Sequence, residues 1–231
     1  MAVEPAIRVE ELDALRRLDT CTVSNAIETF QIRLRNAGFT DARVGCIFED
    51  FPPTVGYAAT ARLRTGEPPI AGFYDDRADW WKSILQIPPP RIAILEDLDE
   101  RPGVGAFLDG VHAAILKALG CVGYVTNGAV RELPRVRDLG LQLFARNVAV
   151  SHAYAHVFDF GSTVKVGGLE VRPGDLLHGD QHGLLSIPKE IAAEIPAVAA
   201  RLQQAEQRVI DFCSSQEFSP DKLPQVLKGL S

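Results

Sequence analysis

Between Gly110 and Glu132 the chain reads as helix, glycine stop, strand, glycine turn, and then a cation beside a carboxylate. Val111–Leu119 has helical composition and stops at Gly120, the residue type that most readily takes the left-handed conformation ending a helix. Cys121–Thr126 is apolar and β-rich, so a strand follows within one turn. Asn127-Gly128 then predicts a turn through positive φ. The strand is expected to carry Arg131 and Glu132 to its C-terminal end, where open α/β sheets bind ligands. A guanidinium can fork onto a carboxylate or an enolate oxygen. The neighbouring carboxylate can hold a divalent metal, directly or through water.

The rest of the chain supports an α/β fold. Helical spacing runs over Val9–Leu18 and Thr22–Phe30, the second capped by Thr20 or Thr22. Gly56–Arg64 predicts a strand, and Asp79–Leu85 a helix stopped by Pro88, Pro89 and Pro90. Arg91–Leu95 has the pattern of a buried strand. Leu133–Leu139 predicts a short helix, Leu141–Val150 a strand, and Leu184–Ile187 a final strand. Thr163–Val166 and Leu169–Val171 form a hairpin on Gly167-Gly168. Ile191, Ile195, Val198, Leu202, Val209 and Phe212 keep helical spacing in a long helix that Pro196 could kink. Pro220–Leu230 predicts a closing helix.

A chain of 231 residues with no long linker or repeat is read as a single domain over 1–231, with a helical C-terminal extension from about 188. A net charge of −6 supplies no basic field, so nucleic acid is not an expected partner. No segment is long and apolar enough to span a bilayer, so no membrane partner is expected. Glu4, Glu10 and Glu11 stand where a secretory signal would be apolar, and the expected location is cytoplasmic. Cys21, Cys46, Cys121 and Cys213 form no CxxC pair and are expected as reduced, mostly buried thiols.

Several stretches resemble one family: Gly123–Glu132, Leu139–Ala145, Val166–Leu177, and Asp180 with Gly183. It is the family named for a regulator of ribonuclease E activity, which also holds the divalent-metal class II pyruvate aldolases, such as 4-hydroxy-4-methyl-2-oxoglutarate aldolase. Thr20–Ala26 and Gly56–Thr60 fit it more loosely. The resemblance implies a swivelling β/β/α sandwich, assembled as a homotrimer or a dimer of trimers. It implies that Arg131 binds the keto-acid end of a small 2-oxo acid substrate. Glu132 would take the metal-ligand position, for Mg²⁺ or Mn²⁺. The backbone of Asp109, Gly110, Val111 and His112 would bind the substrate carboxylate, a role that a helix N-terminus suits through its free N–H groups.

This chain departs from the family's pattern at Asp109-Gly110, where the family has glycine followed by an acidic residue that helps hold metal-bound water. The carboxylate of Asp109, a candidate catalytic group with Arg131, is displaced by one position. Glu132 stands for the usual Asp, and Asn127 and Asn25 each replace a frequent Asp.

The chemistry implied is retro-aldol cleavage or decarboxylation of a 2-oxo acid through a pyruvate enolate, with metal and Arg131 stabilising charge on the keto oxygen. The base that takes the C4-hydroxyl proton stays open between metal-held hydroxide and a side chain. Lys117 and Lys165 suit solvated positions, so no Schiff base is indicated. Two further readings stand beside the lyase: a non-catalytic regulator that binds a ribonuclease or other protein, and a diverged enzyme that uses histidines. His152 and His156, and His178 and His182, are each four apart, with turns expected around Gly179 and Gly183. Trp80 and Trp81 suit packing or a subunit interface. Asp97, Asp99 and Glu100 read as a solvated acidic loop.

Overall fold

The computed structural model describes residues 7–69 and 77–228. The chain opens with α1 (Val9–Leu15), α2 (Thr20–Thr29), β1 (Gly45–Cys46), β2 (Thr54–Arg64), α3 (Arg77–Leu85) and β3 (Arg91–Asp97). Next come β4 (Ala106–Leu108), α4 (Gly110–Ala118), β5 (Cys121–Thr126), β6 (Ala129–Val130), α5 (Leu133–Asp138), β7 (Gln142–Ala145) and β8 (Asn147–Val148). β9 (His156–Phe160), β10 (Val164–Val166), β11 (Leu169–Val171), β12 (Leu176–Asp180) and β13 (Gly183–Ile187) follow. A 3-10 turn at Lys189–Ile191 leads to α6 (Ile195–Ser214) and α7 (Leu223–Leu227).

The central sheet has eight strands. β2, β3, β5 and β7 run parallel in that order. β1 closes on β7, β9 and β12 on β2, and β13 on β12, all antiparallel. Side chains alternate across a strand. Ile92 and Ile94 of β3 therefore share one core with Val164, Val166, Leu169 and Val171 of the β10–β11 hairpin. Ala93 and Leu95 share the other with Ala113 and Leu116 of α4 and Val136 of α5. Both faces of the strand are covered, so its sequence reads as a continuous apolar run. Hairpin, sheet and helices are the layers of the expected β/β/α sandwich. A third core joins α1, α2 and α6 to β12 and β13 through Leu15, Ile27, Leu185, Ile187, Ile195 and Val198.

Several local expectations are corrected. β12 and β9 form where turns or loops were expected: β12 is the inner strand between β2 and β13, and its Gly179 lies in the ladder rather than in a turn. The strand expected over Leu141–Val150 divides after Ala145, because Arg146 N–H donates to the Gly128 carbonyl and the chain passes to a second sheet. Neither Asn127 nor Gly128 has positive φ. Gly128 is required instead by close approach, since a Cβ there would meet Asp97 Oδ2 at 2.9 Å. The α2 cap is Asp19, whose carboxylate accepts Thr22 N–H at 2.8 Å. Pro196 sits in the first turn of α6, where it needs no hydrogen bond and causes no kink. Of the four cysteines, all unpaired, only Cys121 is fully buried. The acidic loop is not solvated at Asp97, which is 2 % exposed. The end of the closing helix expected to Leu230, and Glu4, lie outside the described residues.

Candidate active site

Three short parallel strands form a second sheet in the order β4, β6, β8. Their C-terminal ends carry the functional groups to one place. β4 ends just before Asp109, β6 just before Arg131 and Glu132, and the loop after β8 holds His152. Arg131 N–H donates to Leu108 O at 3.2 Å, and Ala149 N–H to Val130 O at 3.0 Å, which keeps the three ends level. The strand that presents Arg131 and Glu132 is therefore β6 of this small sheet, not the expected Cys121–Thr126, which stops at the Asn127-Gly128 bend. The placement still follows the rule that ligand groups gather at the carboxyl ends of parallel strands.

Asp109 caps α4. Its backbone is extended, and its Oδ1 accepts both the His112 N–H at 2.8 Å and the His112 ring Nδ1–H at 2.9 Å. Its Oδ2 lies 3.2 Å from His152 Nε2. His152 Nδ1–H donates to the Ala106 carbonyl at 2.6 Å. Burial pushes the Asp109 carboxyl up, but the His112 amide and ring and the His152 ring outweigh it and hold it below its ordinary value. The carboxylate lies between the imidazoles, so this is a hydrogen-bonded cluster. Among the described residues no three His, Cys, Asp or Glu side chains converge on a metal position.

Glu132 is the left-handed residue at the start of α5, with φ 52° and ψ 41°. That conformation is rare for a residue with a Cβ, and such strain concentrates at functional sites. Its Oε2 accepts Gly110 N–H at 3.2 Å. Arg131 Nη2 lies 3.5 Å from Oε1, and Arg135 Nη1 lies 3.5 Å from Oε2. Two of the helix-start amides expected to hold a substrate are thus already engaged: Gly110 by Glu132, and His112 by Asp109. Val111 N–H has no acceptor among the described residues and stays available.

His112, His152, Phe107, Tyr154, Ala153, Ala155 and Pro69 line a pocket of about 280 Å³ beside this cluster. The segments that line it are tied together by Thr65 and by Asp99, which serves as an acceptor here and not as part of a solvated loop. Thr65 accepts Gly105 N–H at 3.2 Å on its hydroxyl and Tyr154 N–H at 3.0 Å on its carbonyl. Asp99 holds that hydroxyl at 2.9 Å and the Thr65 N–H at 2.7 Å. A Cβ on Gly105 would overlap the His152 carbonyl, so glycine lets the β8 loop close over β4. Thr-Gly at 65–66 looks only like a turn in sequence, and nothing in spacing links it to Asp99.

The expected histidine pairs dissolve. His152 joins His112 and Asp109, while His156 Nδ1 faces the Tyr154 carbonyl at 2.7 Å. His178 is fully buried between Thr20 and Leu15, and His182 folds back on Asp180 at 3.0 Å. Trp80 is core, packed edge-on against Phe107 at 5.5 Å.

Fold and site together define a mixed α/β sandwich with an arginine–carboxylate pair held at the start of a helix. The sequence profile of the Aldolase/RraA family, described as RraA-like, matches residues 20–185, and the chain belongs to that family. A Halalkalibacterium halodurans protein named as a candidate 4-hydroxy-4-methyl-2-oxoglutarate aldolase is 26% identical over 138 residues, 58% of this chain and 60% of that protein. Methanocaldococcus jannaschii MJ0644 is 25% identical over 57% of this chain and 64% of its own length. The chain thus spans somewhat under two thirds of these curated relatives. Among solved structures, a Pseudomonas syringae protein shares the fold with a TM-score of 0.73 at 22% identity, over 99% of both chains. Streptomyces coelicolor RraAS2, titled an unusual member of the RNase ES inhibitor RraA family, gives 0.67 at 20% identity, over 87% of this chain and 96% of its own.

Proposed function

We propose that this chain is a metal-dependent carbon–carbon lyase that cleaves or decarboxylates a 2-oxo acid through a pyruvate enolate. The observation that carries the reading is the convergence of Arg131, Glu132 and the α4 start at the ends of β4 and β6. Arg131 is a quarter exposed, and its one described ion pair is the long contact to Glu132. Its remaining N–H donors have no partner among the described residues and can fork onto the carboxylate and keto oxygen of a 2-oxo acid. The free Val111 amide and the positive end of the α4 dipole favour an anion at the same place.

The donor set for a metal is a single carboxylate, Glu132. That suits a hard ion such as Mg²⁺ or Mn²⁺, which keeps most of its water and draws further oxygens from substrate. The left-handed backbone of Glu132 and the Gly110 amide fix where its carboxylate lies. When bound there, the ion would supply Lewis-acid stabilisation of charge on the keto oxygen. Arg131 holds the substrate end in register and shares that charge through fixed hydrogen bonds. The name of the H. halodurans relative points to the same reaction class.

The test is pyruvate release from oxaloacetate and from 4-hydroxy-4-methyl-2-oxoglutarate, with Mg²⁺ or Mn²⁺, then with EDTA, on wild type and Arg131→Ala. Turnover is expected with metal. It should be abolished by EDTA and lowered at least ~10²-fold by the substitution. Full activity in EDTA overturns the metal-dependent reading. Folded protein that turns over neither compound overturns the lyase reading and leaves the partner-binding one.

A further inference from the structure

We infer that His112, held by Asp109, is the acid–base catalyst of this site. The inference rests on the lyase reading above. Asp109 is where the chain departs from its family's pattern, and the structure shows what the displaced carboxylate does. Ionised, it can only accept hydrogen bonds, so the His112 nitrogen facing it at 2.9 Å carries the proton. In the neutral ring this selects the tautomer with Nδ1 protonated and leaves the lone pair on Nε2, which has no partner among the described residues. The ring is held from a second side by Phe107, centroid to centroid 4.6 Å. His112 and His152 both line the 280 Å³ pocket. A carboxylate that orients an imidazole whose far nitrogen is free, on a pocket wall, is the arrangement of a general base.

The other groups fit as supports. His152 Nδ1–H donates to Ala106 O, and its Nε2 lies 3.2 Å from Asp109 Oδ2, a contact that becomes a hydrogen bond to the carboxylate when the ring carries a proton on both nitrogens. Asp109 also caps α4, which ties the ring position to the helix start where Gly110 meets Glu132. Asp109 and His152 are positioning residues, and His112 is the catalytic one.

In retro-aldol cleavage, His112 Nε2 takes the C4-hydroxyl proton of the substrate. The oxygen lone pair forms the new C4 carbonyl, and the C3–C4 bond breaks. Its electron pair becomes the C2=C3 double bond, and the C2 carbonyl π pair moves onto the keto oxygen, giving the pyruvate enolate. The His112 imidazolium then returns the same proton to C3, giving pyruvate and a second 2-oxo acid. No oxidant or co-reactant is needed. Oxaloacetate has no C4 hydroxyl, and its cleavage begins with loss of carbon dioxide, so its first step does not call on this base.

That difference supplies the test. His112→Asn keeps an amide donor for Asp109 and removes the base. Pyruvate release from both compounds is measured on the full chain with Mg²⁺. The expected result is a fall of at least ~10²-fold in cleavage of 4-hydroxy-4-methyl-2-oxoglutarate, with a much smaller fall for oxaloacetate. The ratio of the two activities should drop by about tenfold or more. Equal losses on both compounds, or no loss on either, overturn the inference while the lyase reading stands. Wild type inactive on both removes the two together. The tautomer has its own readout in ¹⁵N NMR of the histidine rings. Wild type should show His112 protonated at Nδ1. Asp109→Ser keeps a capping oxygen but cannot reach the ring, and should lose that fixed tautomer. A ring protonated at Nε2 in wild type, or a tautomer unchanged in Asp109→Ser, overturns the role given to Asp109.

Discussion

The Glu132 carboxylate accepts the backbone N–H of Gly110 at 3.2 Å, and this contact joins the end of β6 to the first turn of α4. A strand end and a helix start that are well separated in sequence thereby become one site. The bond also shows how a helix terminus can hold an anion before any substrate arrives, because a side chain of the same protein occupies one of its amides.

Glu132 has φ 52°, which Asn tolerates better than most residues with a Cβ. Glu132→Asn removes the carboxylate and eases the backbone. Stability should stay within about 1 kcal/mol of wild type, because the lost ion pairs are long and partly exposed. Lyase turnover should fall at least ~10²-fold. Thermal unfolding and pyruvate release on one preparation check both halves, and parallel losses would place Glu132 in the structure instead of the chemistry.

Asp109 carries a cap as well as two histidines. Asp109→Ala should cost about 1–2 kcal/mol in urea unfolding, since the His112 amide loses its acceptor. Asp109→Asn, an equally good cap, should stay within about 0.5 kcal/mol. Equal costs for the two would mean that charge, and not capping, sets the stability at this position.

His178 is fully buried, and burial pushes its pKa below the ordinary 6.5, against the raising effect of the Leu15 carbonyl and of Asp180 and Asp19. Thr20 Oγ1 faces Nδ1 at 3.0 Å and Leu15 O faces Nε2 at 3.1 Å, a set that satisfies the neutral ring. As pH falls below 6.5 the unfolded chain binds this proton and the folded chain does not. Stability therefore declines with falling pH through the window between 6.5 and the lower folded value, by up to about 1.4 kcal/mol per pH unit from this one group. Asp180 and Asp109, both held below 3.8, contribute stability that is lost only in more acid solution. Urea unfolding from pH 7 to 5 should show the slope in wild type and a flatter one in His178→Gln.

Arg91 is 9 % exposed and closes the end of α4, donating to Leu119 O at 2.8 Å and to Ile87 O at 2.5 Å. Arg91→Met fills similar space but leaves both carbonyls without a donor. The expected loss is about 2–3 kcal/mol, with faster amide exchange at the end of α4. Unchanged exchange there would show that water replaces the guanidinium without cost.

Much of the fold was legible. Cys121–Thr126 and the hairpin on Gly167-Gly168 match the structure residue for residue at the strands they predict, apart from Thr163. The α4 helix lies within one residue of its expected span. These elements carry their instructions locally, as β-rich runs bounded by glycines with the conformations that turns need. β4, β6 and β8 were not legible, because strands of two or three residues have no period to detect. They exist only through each other's hydrogen bonds. β12 was hidden by Gly179, which reads as a turn but is demanded by packing, since a Cβ would meet Phe144 Cζ at 2.7 Å.

The sequence by itself determined the family, the sandwich layers, and Arg131-Glu132 as the pair to watch, because those depend on local pattern and on a contiguous motif. The tertiary structure alone decided that Asp109 holds His112 and His152, that Glu132 engages Gly110, and that His178 is a neutral core residue. The first two are distances set by three parallel strand ends, and the third is set by the packing of β12 against Leu15 and Thr20; distances of that kind leave no period or spacing in the chain.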